Sequence, residues 1–439
     1  MRFRSLLALT LLPLIAVPKG RSADPEALVA AELPSLVTFY EDLHAHPELS
    51  LREELTAAKL ATELKSAGFE VTEKVGGFGL VGVLRNGDGP VLLLRTDMDA
   101  LPVKELTGLS YASQVKAKDD QGREVPVMHA CGHDMHMACF IGTARVLAKL
   151  KESWRGTLVM IGQPAEERVL GARMMLKAGL FERFPKPDHA IGLHCSSDLP
   201  HGTVGMIQGF ALANVDTVDI VVKGVGSHGS MPHLGKDPVV LASQIVLALQ
   251  SIVSREVKPG DPAVVTVGSI HGGTKHNIIP DEVRLQLTLR SYKAETRQHL
   301  IDSVERITRN LAEASGMPEE KMPEVIVSDE RAPSLYNEPA LTHRVRRAVE
   351  NRLGANNVIT RDPTMGAEDF AEYGLTKEKI PLCFFWLGTQ RLQVVTEAAE
   401  KGETLPSLHS PFFRPVPEPT IKTGILALTS AALELLQRP

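Results

Sequence analysis

The fold of this chain is decided by residues 91–99, which read Val91-Leu92-Leu93-Leu94-Arg95-Thr96-Asp97-Met98-Asp99. The run at 91–95 follows a Gly-Asp-Gly-Pro turn and is continuously apolar up to its last residue, as expected for a strand buried on both faces. Around it we predict helices at 33–45, 53–67, 134–150 and 169–178, and strands at 71–75, 80–84, 157–161 and 190–194. This alternation predicts an α/β fold with a mixed, mostly parallel sheet flanked by helices.

The pattern changes near residue 212. Beyond it we predict strands at 215–222, 264–267 and 283–289, and helices at 238–253 and 294–314. The earlier alternation then resumes with a helix at 340–352, a strand at 382–387 and a final helix from residue 420. We therefore predict a larger domain formed by residues 24–211 and 326–439, into which a smaller α+β domain of residues 212–325 is inserted.

The first 23 residues differ from the rest. They begin with a short basic stretch, and residues 5–17 then form an apolar run about as long as the core of a signal peptide. The alternative is a buried N-terminal helix. We expect a signal peptide at 1–23, and hence export to the periplasm or secretion. No other segment looks long and apolar enough to cross a bilayer, so we expect no stable membrane insertion.

Composition excludes several classes of protein. The 439 residues are 43% hydrophobic and 23% charged, which excludes a disordered or collagen-like chain. The net charge of −5 argues against a nucleic-acid binder, which is usually strongly basic. Four cysteines are too few for a disulfide scaffold in a chain of this length.

Side chains that bind metal ions concentrate where the predicted strands end. In open α/β sheets, ligands bind at the carboxyl ends of strands. RTDMD at 95–99, QPAEE at 163–167 and His194 follow or end predicted strands, HACGHDMH at 129–136 leads into a predicted helix, and His409 lies near the C-terminus. Cysteine, histidine and carboxylate are the ligand set of zinc and similar divalent ions.

The Cys131-Gly132-His133 triplet is the first candidate metal-binding motif. The glycine lets the backbone turn, so that its two neighbours can face a common centre. Three alternatives remain open for Cys131 on the residues alone. It could be a buried cysteine beside exposed histidines, a catalytic thiol, or half of a disulfide with Cys139, Cys195 or Cys383.

The Glu166-Glu167 pair is the second candidate. Adjacent carboxylates point in different directions, so one can bind a metal while the other accepts a proton from water. The alternative is a solvated charge pair at a helix start. In the inserted unit, His228, Asn277 and Arg290 could stabilise an oxyanion and bind a substrate carboxylate, although the residues alone favour ordinary turn chemistry for these loops.

Taken together, these segments resemble the dinuclear metal-dependent amidohydrolases of the aminoacylase and carboxypeptidase superfamily. The closest branch contains hippurate hydrolases, N-acyl-amino-acid amidohydrolases and auxin-conjugate hydrolases. The resemblance rests on ordered motifs over nearly the whole mature chain: DLHAHPELS at 42–50, RTDMDALP at 95–102, MHACGHD at 128–134, QPAEE at 163–167 and MGAEDF at 365–370.

This resemblance implies a role for each matching residue. The metal ligands would be Cys131, His133, Glu167, His194 and His409. They would share two divalent ions (Zn, Mn, Ni or Co), with the Cys131 thiolate suited to bridge them. Glu166 would be the general base and His228 would help to stabilise the oxyanion. Asp97 and Asp134 would orient ligands, and Asn277 and Arg290 would bind the substrate.

The implied reaction is hydrolysis of the amide in an N-acyl amino acid or related amidated carboxylate, a small-molecule substrate. The insert serves relatives either as a lid or as a dimer contact, so a homodimer stays open. Arg168 follows the glutamate pair where a glycine is common, which puts substrate preference in doubt. A dipeptidase or carboxypeptidase of the same superfamily is the close rival, and a non-catalytic binding protein is the rival from another class.

Overall fold

The computed structural model describes residues 24–437, so the predicted signal peptide at 1–23 lies outside the described residues. The described helices are α1 (Pro25–Ala45), α2 (Glu54–Ser66), α3 (His133–Lys149), α4 (Gly171–Lys177), α5 (Leu180–Arg183), α6 (Pro238–Ser251), α7 (Ala294–Ala314), α8 (Pro339–Leu353), α9 (Leu392–Lys401) and α10 (Pro417–Leu435). The described strands are β1 (Glu70–Thr72), β2 (Leu80–Asn86), β3 (Val91–Asp97), β4 (Lys116–Lys118), β5 (Glu124–Pro126), β6 (Gly156–Gln163), β7 (His189–Pro200), β8 (Val204–Met206), β9 (Gly209–Leu212), β10 (Asn214–Lys223), β11 (Ser227–His228), β12 (Ala263–Gly272), β13 (Ile278–Ile279), β14 (Glu282–Ser291), β15 (Glu324–Ala332), β16 (Leu335–Asn337), β17 (Val358–Thr360) and β18 (Leu382–Gln390).

The larger sheet has eight strands in the order β1-β2-β6-β3-β7-β18-β8-β17. Its centre is parallel, because β3 pairs in parallel with both β6 and β7, and β7 pairs in parallel with β18. Antiparallel pairs join β1 to β2, β2 to β6, and β18 to β8. The prediction of a mixed, mostly parallel sheet flanked by helices is confirmed.

The strand that decided the fold is buried on both faces. Leu92 and Leu94 belong to the core that the sheet forms with α1, α3 and α10. Leu93 points to the opposite face and packs in a second core with Met175 of α4. This arrangement explains why the sequence of β3 shows no alternation of polar and apolar residues.

The smaller sheet has four antiparallel strands in the order β12-β14-β10-β15, and α6 and α7 share its core. Its fourth strand, β15, was not predicted, because residues 324–332 read EVIVSDERA and carry four charged side chains. This strand crosses the predicted boundary at residue 325. The domain limits themselves stay a prediction.

The first helix also begins earlier than predicted. It starts at Pro25, where the Asp24 side chain accepts a hydrogen bond from the Glu26 amide, and it continues through Pro34. The predicted bounds of 33–45 placed Pro34 in the first turn, where a proline costs no backbone hydrogen bond, whereas in the structure Pro34 lies inside the helix.

One described stretch, Pro238–Glu256, is long and apolar enough to cross a membrane by length and composition alone. The expectation that no segment after the N-terminus meets this criterion is therefore wrong. The stretch comprises α6 and a π-helical turn, and Leu241, Ile245 and Leu249 pack into the core of the smaller sheet.

Candidate metal centre

Several of the predicted site residues lie at the carboxyl edge of three neighbouring strands, β6, β3 and β7. The parallel register of β3 and β6 sets Asp97 beside Gln163. The register of β3 and β7 sets Arg95 beside Gly192, so that His194 lies two residues further toward the same edge. Strand pairing alone therefore gathers segments that are far apart in the sequence.

Gly132 lets the chain turn between the loop of Cys131 and the start of α3. Its φ of 83° lies in the left-handed region, which glycine adopts readily. A Cβ at this position would lie 3.1 Å from the Cys195 sulfur. The glycine thus ends the loop that carries Cys131 and starts α3 at His133.

Cys131 is the common member of two groups of ligand atoms. Its Sγ lies 3.4 Å from Nε2 of His194 and 3.3 Å from Nε2 of His409. Within one group, ligand atoms of Cys131, His133 and His194 lie within 4.8 Å of one another, and those of Cys131, Glu167 and His409 do so in the second. The structure therefore brings together all five residues for which the resemblance implied a ligand role.

Glu166 lies beside the same groups. Its Oε2 is 3.7 Å from Nε2 of His133, and Oε1 of Glu167 is 3.9 Å from that nitrogen. Burial, and then the negative charges of Glu368 and Glu167, raise the pKa of Glu166 well above its usual range. A raised pKa favours the protonated form of a carboxyl group, which suits a residue that must take up a proton during catalysis.

The buried acidic groups at this edge of the larger sheet favour the binding of a cation. Burial and the carboxylates of Glu167 and Glu166 raise the pKa of the Cys131 thiol well above its usual range. Burial also raises the pKa of Glu167 to about 7, and the charge of Asp99 adds to that rise. A bound divalent ion would relieve this repulsion among buried acidic groups.

Buried polar atoms that lack a hydrogen bond point to the same fit. Both ring nitrogens of His133 and Oε1 of Glu167 are buried without a hydrogen bond to any described residue. Buried polar atoms are rarely left in this state. In His194, Nδ1 donates to the Cys195 carbonyl at 2.9 Å, which leaves the Nε2 lone pair facing Cys131. These thiol, imidazole and carboxylate donors fit zinc and similar divalent ions.

The cysteines bear on the alternatives left open for Cys131. Cys131, Cys139, Cys195 and Cys383 are all free and buried. The disulfide alternative therefore does not hold in this structure.

Asp97 contacts both a predicted ligand and a neighbouring histidine. Its Oδ2 lies 3.7 Å from Nε2 of His133, and its Oδ1 accepts a 2.7 Å hydrogen bond from Nδ1 of His136. The other nitrogen of His136 accepts from the Cys195 amide at 2.8 Å. His136 received no role from the sequence, yet its position one helical turn after His133 could have indicated it.

Asp134 has different partners from those the resemblance suggested. Its Oδ2 lies 2.6 Å from Nδ1 of His44, and its Oδ1 accepts from the Met135 amide at 2.8 Å. Nε2 of His44 in turn lies 3.0 Å from Oε1 of Glu105. Asp134 thus fixes the start of α3, while its proposed role in orienting a ligand stays a prediction.

A buried network of ion pairs and hydrogen bonds near Glu166 was not predicted from the sequence. Arg95 reaches Asp97 and Glu368 at 2.7 Å and Asp369 at 3.2 Å, and its Nε donates to Gln163 at 3.0 Å. Arg95 is the cation that compensates these acidic groups. The two motifs RTDMD and MGAEDF carry it, but nothing in their spacing showed that they meet.

A cavity of about 490 Å³ opens in front of the ligands. Its walls include Cys131, Glu166 and His409 and, from the smaller sheet, Arg290. Nη1 of Arg290 donates to the Met365 carbonyl at 2.5 Å.

The two other predicted residues of the insert do not line this cavity in the described structure. His228 is exposed, and its Nδ1 accepts a hydrogen bond from the Ser230 amide at 3.1 Å. Asn277 lies in the neighbouring loop, and its backbone carbonyl accepts a hydrogen bond from the Gly229 amide at 2.8 Å. In this arrangement of the two sheets, both residues remain apart from the five ligands.

Comparison with known proteins gives a consistent result. Residues 93–432 match the model of "Peptidase family M20/M25/M40". The chain is 36% identical over 358 residues to an N-acetylcysteine deacetylase of Bacillus subtilis, which covers 81% of this chain and 88% of that protein. It is also 37% identical over 333 residues to a hippurate hydrolase of Campylobacter jejuni, covering 75% of this chain and 82% of that one.

A solved structure shows the same architecture. A dinuclear metal-binding M20 peptidase from Bacillus subtilis superposes with a TM-score of 0.74 at 31% identity. The match covers 93% of this chain and 99% of that one.

Proposed function

Since this chain belongs to the peptidase family M20/M25/M40 and is a metal-dependent hydrolase of amide bonds, we propose that it cleaves N-acyl amino acids. The two relatives named above act on compounds of this kind, and the five clustered donors support two divalent ions in each subunit.

The observation that carries the proposal is that Glu166 and Arg290 line one cavity. A guanidinium group can bind a carboxylate through two parallel hydrogen bonds. Phe384, Trp386 and Leu408 provide apolar wall for an acyl chain. A volume of about 490 Å³ is within the range of small-molecule sites.

We assign the roles as follows. The five donors would hold two divalent ions, which would supply polarisation of the amide carbonyl and acidification of water. Glu166 takes the proton from the attacking water and returns it to the leaving amino group. Arg290 holds the substrate carboxylate. His228 and Asn277 lie outside the cavity in this arrangement, so their proposed contacts with the substrate require closure of the insert.

The test is a substrate panel with Zn²⁺, Mn²⁺, Ni²⁺ or Co²⁺ added. We expect release of amino acid from N-acetyl and N-benzoyl amino acids, and much slower cleavage of dipeptides with a free amine. N-benzoylglycinamide is the matched control, because it lacks only the carboxylate proposed to bind Arg290. Equal kcat/KM for N-benzoylglycine and its amide would remove Arg290 from the proposal.

The rival activities have distinct outcomes in the same panel. Preferential cleavage of free-amine dipeptides would support the dipeptidase or carboxypeptidase alternative. If the metal-loaded protein cleaves no amide and Glu166→Gln leaves ligand affinity unchanged, the protein is a binding protein on this scaffold.

We also propose a homodimer through the insert. The unpaired edge of β12 and the outer face of α6 expose apolar side chains, with Ile270 50%, Val240 55% and Leu247 75% exposed. Such side chains next to an open sheet edge favour association with a second copy.

Leu247→Glu should convert a dimer to a monomer in light scattering. Leu392→Glu, which changes an equally apolar residue of α9, should not. A monomeric unaltered protein would refute the proposal.

Export remains a proposal from residues 1–23 alone. We expect the protein in the periplasm or medium with those residues removed. Fractionation and N-terminal sequencing would test this, and a cytoplasmic protein that keeps residues 1–23 would contradict it.

A further inference from the structure

The turn that carries Glu166 and Glu167 is held by two buried carboxylates from elsewhere in the chain. Three consecutive backbone amides, those of residues 165–167, donate to them. The Ala165 amide donates to Oε1 of Glu53 at 2.8 Å. The Glu166 and Glu167 amides donate to the two oxygens of Asp99 at 3.1 and 3.0 Å. Successive amides turned to one side in this way form an anion-binding concavity.

This turn has an unfavourable backbone geometry. Ala165 and Val169 have φ angles of 50° and 48°, in the left-handed region that residues with a Cβ seldom adopt. The Val169 amide closes the turn by donating to the Glu166 carbonyl at 2.6 Å. Such geometry persists only where surrounding contacts enforce it, so the carboxylates that accept its amides control its shape.

The Glu53 side chain is buried and held in place to accept the Ala165 amide. It is fully buried, and Oε1 also accepts from the Leu51 amide at 2.9 Å. Oε2 has no hydrogen-bond partner among the described residues. Although Glu53 precedes α2, its side chain does not cap that helix. Asp99 lies 3.4 Å from Nδ1 of His133, whereas Glu53 reaches the turn through the Ala165 amide.

We propose that Glu53 is a positioning residue, which fixes the orientation of Glu166 and Glu167 through the backbone of Ala165. This inference rests on the proposed function for the role of Glu166. Its effect on metal binding depends only on Glu167 as a ligand.

The test compares Glu53→Met, which fills the space without accepting a hydrogen bond, with Glu53→Gln, which keeps one acceptor oxygen. In Glu53→Met we expect kcat for an N-acyl amino acid and affinity for Zn²⁺ by calorimetry each to fall by about 10- to 100-fold. Glu53→Gln should retain both within about threefold, because Oε1 alone makes the two bonds.

Glu48→Ala is the matched control. Glu48 caps the start of α2 through the Leu55 and Thr56 amides at 3.2 and 2.7 Å, and its side chain has no hydrogen bond to the turn in the described structure. The Glu48→Ala substitution should lower the melting temperature and leave kcat unchanged. If Glu53→Met does not fold, Glu53→Asp, whose carboxylate is withdrawn by one methylene, should show the same losses.

Two results would overturn the inference: unchanged kcat and Zn²⁺ affinity in the folded Met or Asp variant, or equal losses in Glu53→Gln. If the unaltered protein cleaves no N-acyl amino acid, the proposed function fails, and the Zn²⁺ affinities alone decide the role of Glu53.

Discussion

The Sγ of Cys131 lies 3.3 Å from Nε2 of His409, although 278 positions separate the two residues in the chain. His409 is held in this place by its own amide, which donates to the Ala130 carbonyl at 2.9 Å. The backbone therefore anchors the C-terminal segment to the loop of Cys131 and places the imidazole beside the thiol.

Cys131→Ser should abolish the binding of both metal ions, or weaken it severely, because the thiol belongs to both groups of ligand atoms. Elemental analysis after dialysis would measure the loss. Cys383→Ser is the control, since Cys383 is buried in β18 and belongs to neither group. A serine variant that retains two equivalents of metal would contradict the shared role.

Glu166→Gln should reduce kcat by about 10²- to 10⁴-fold and keep the metal content, because it removes only the group that moves the proton. Glu372→Gln, which disturbs an ion pair with Arg173, should change kcat little. Loss of metal from the Glu166 variant would show that this residue is a ligand instead.

His44 should make stability depend on pH. Burial lowers its pKa, but contacts with Asp134 and Glu105 outweigh burial and raise the pKa from 6.5 to about 10. A histidine whose folded pKa is raised contributes stability below pH 6.5 and loses that contribution as pH rises toward 10. The difference in free energy of unfolding between the unaltered protein and His44→Gln should therefore shrink from pH 6.5 to 10. Denaturant titrations would measure it, and a constant difference would refute the role of the charged pair.

Gly171→Ala should disturb the turn after β6. A Cβ there would lie 1.6 Å from the Pro164 carbonyl oxygen, so the backbone must shift. We expect a loss of about 1–3 kcal/mol in stability together with a lower kcat. Gly268→Ala is the control, because its Cβ would find its nearest neighbour at 3.8 Å. Unchanged kcat in a folded Gly171→Ala variant would show that the turn tolerates displacement.

The sequence predicted elements best where the apolar pattern was strong. The helix predicted at 294–314 has those bounds in the structure, and the apolar run at 91–95 became the centre of the larger sheet. The strand β15 was missed because charged residues interrupt its pattern, and the predicted bounds of 33–45 left out residues 25–32 of α1. Pattern-based prediction fails where tertiary contacts override local preference.

The candidate site was also predicted only in part from the sequence. The resemblance named the five donors that the structure brings together, although only some of them follow a strand directly. The motifs did not show that Glu53 meets Ala165 or that Arg95 meets Glu368, because such contacts depend on how distant segments pack. They also could not give the distance between His228 and the ligands, which depends on how the two sheets are placed.

The position of β18 has a consequence for biosynthesis. This strand, Leu382–Gln390, lies between β7 and β8, which precede it by nearly two hundred residues. During synthesis from the N-terminus, every strand of the smaller sheet is made before β18 leaves the ribosome. The smaller sheet can therefore form first, while the edge of β7 stays unpaired and exposed to association with other chains. During synthesis, the larger sheet is therefore the part of the protein that is most exposed to aggregation.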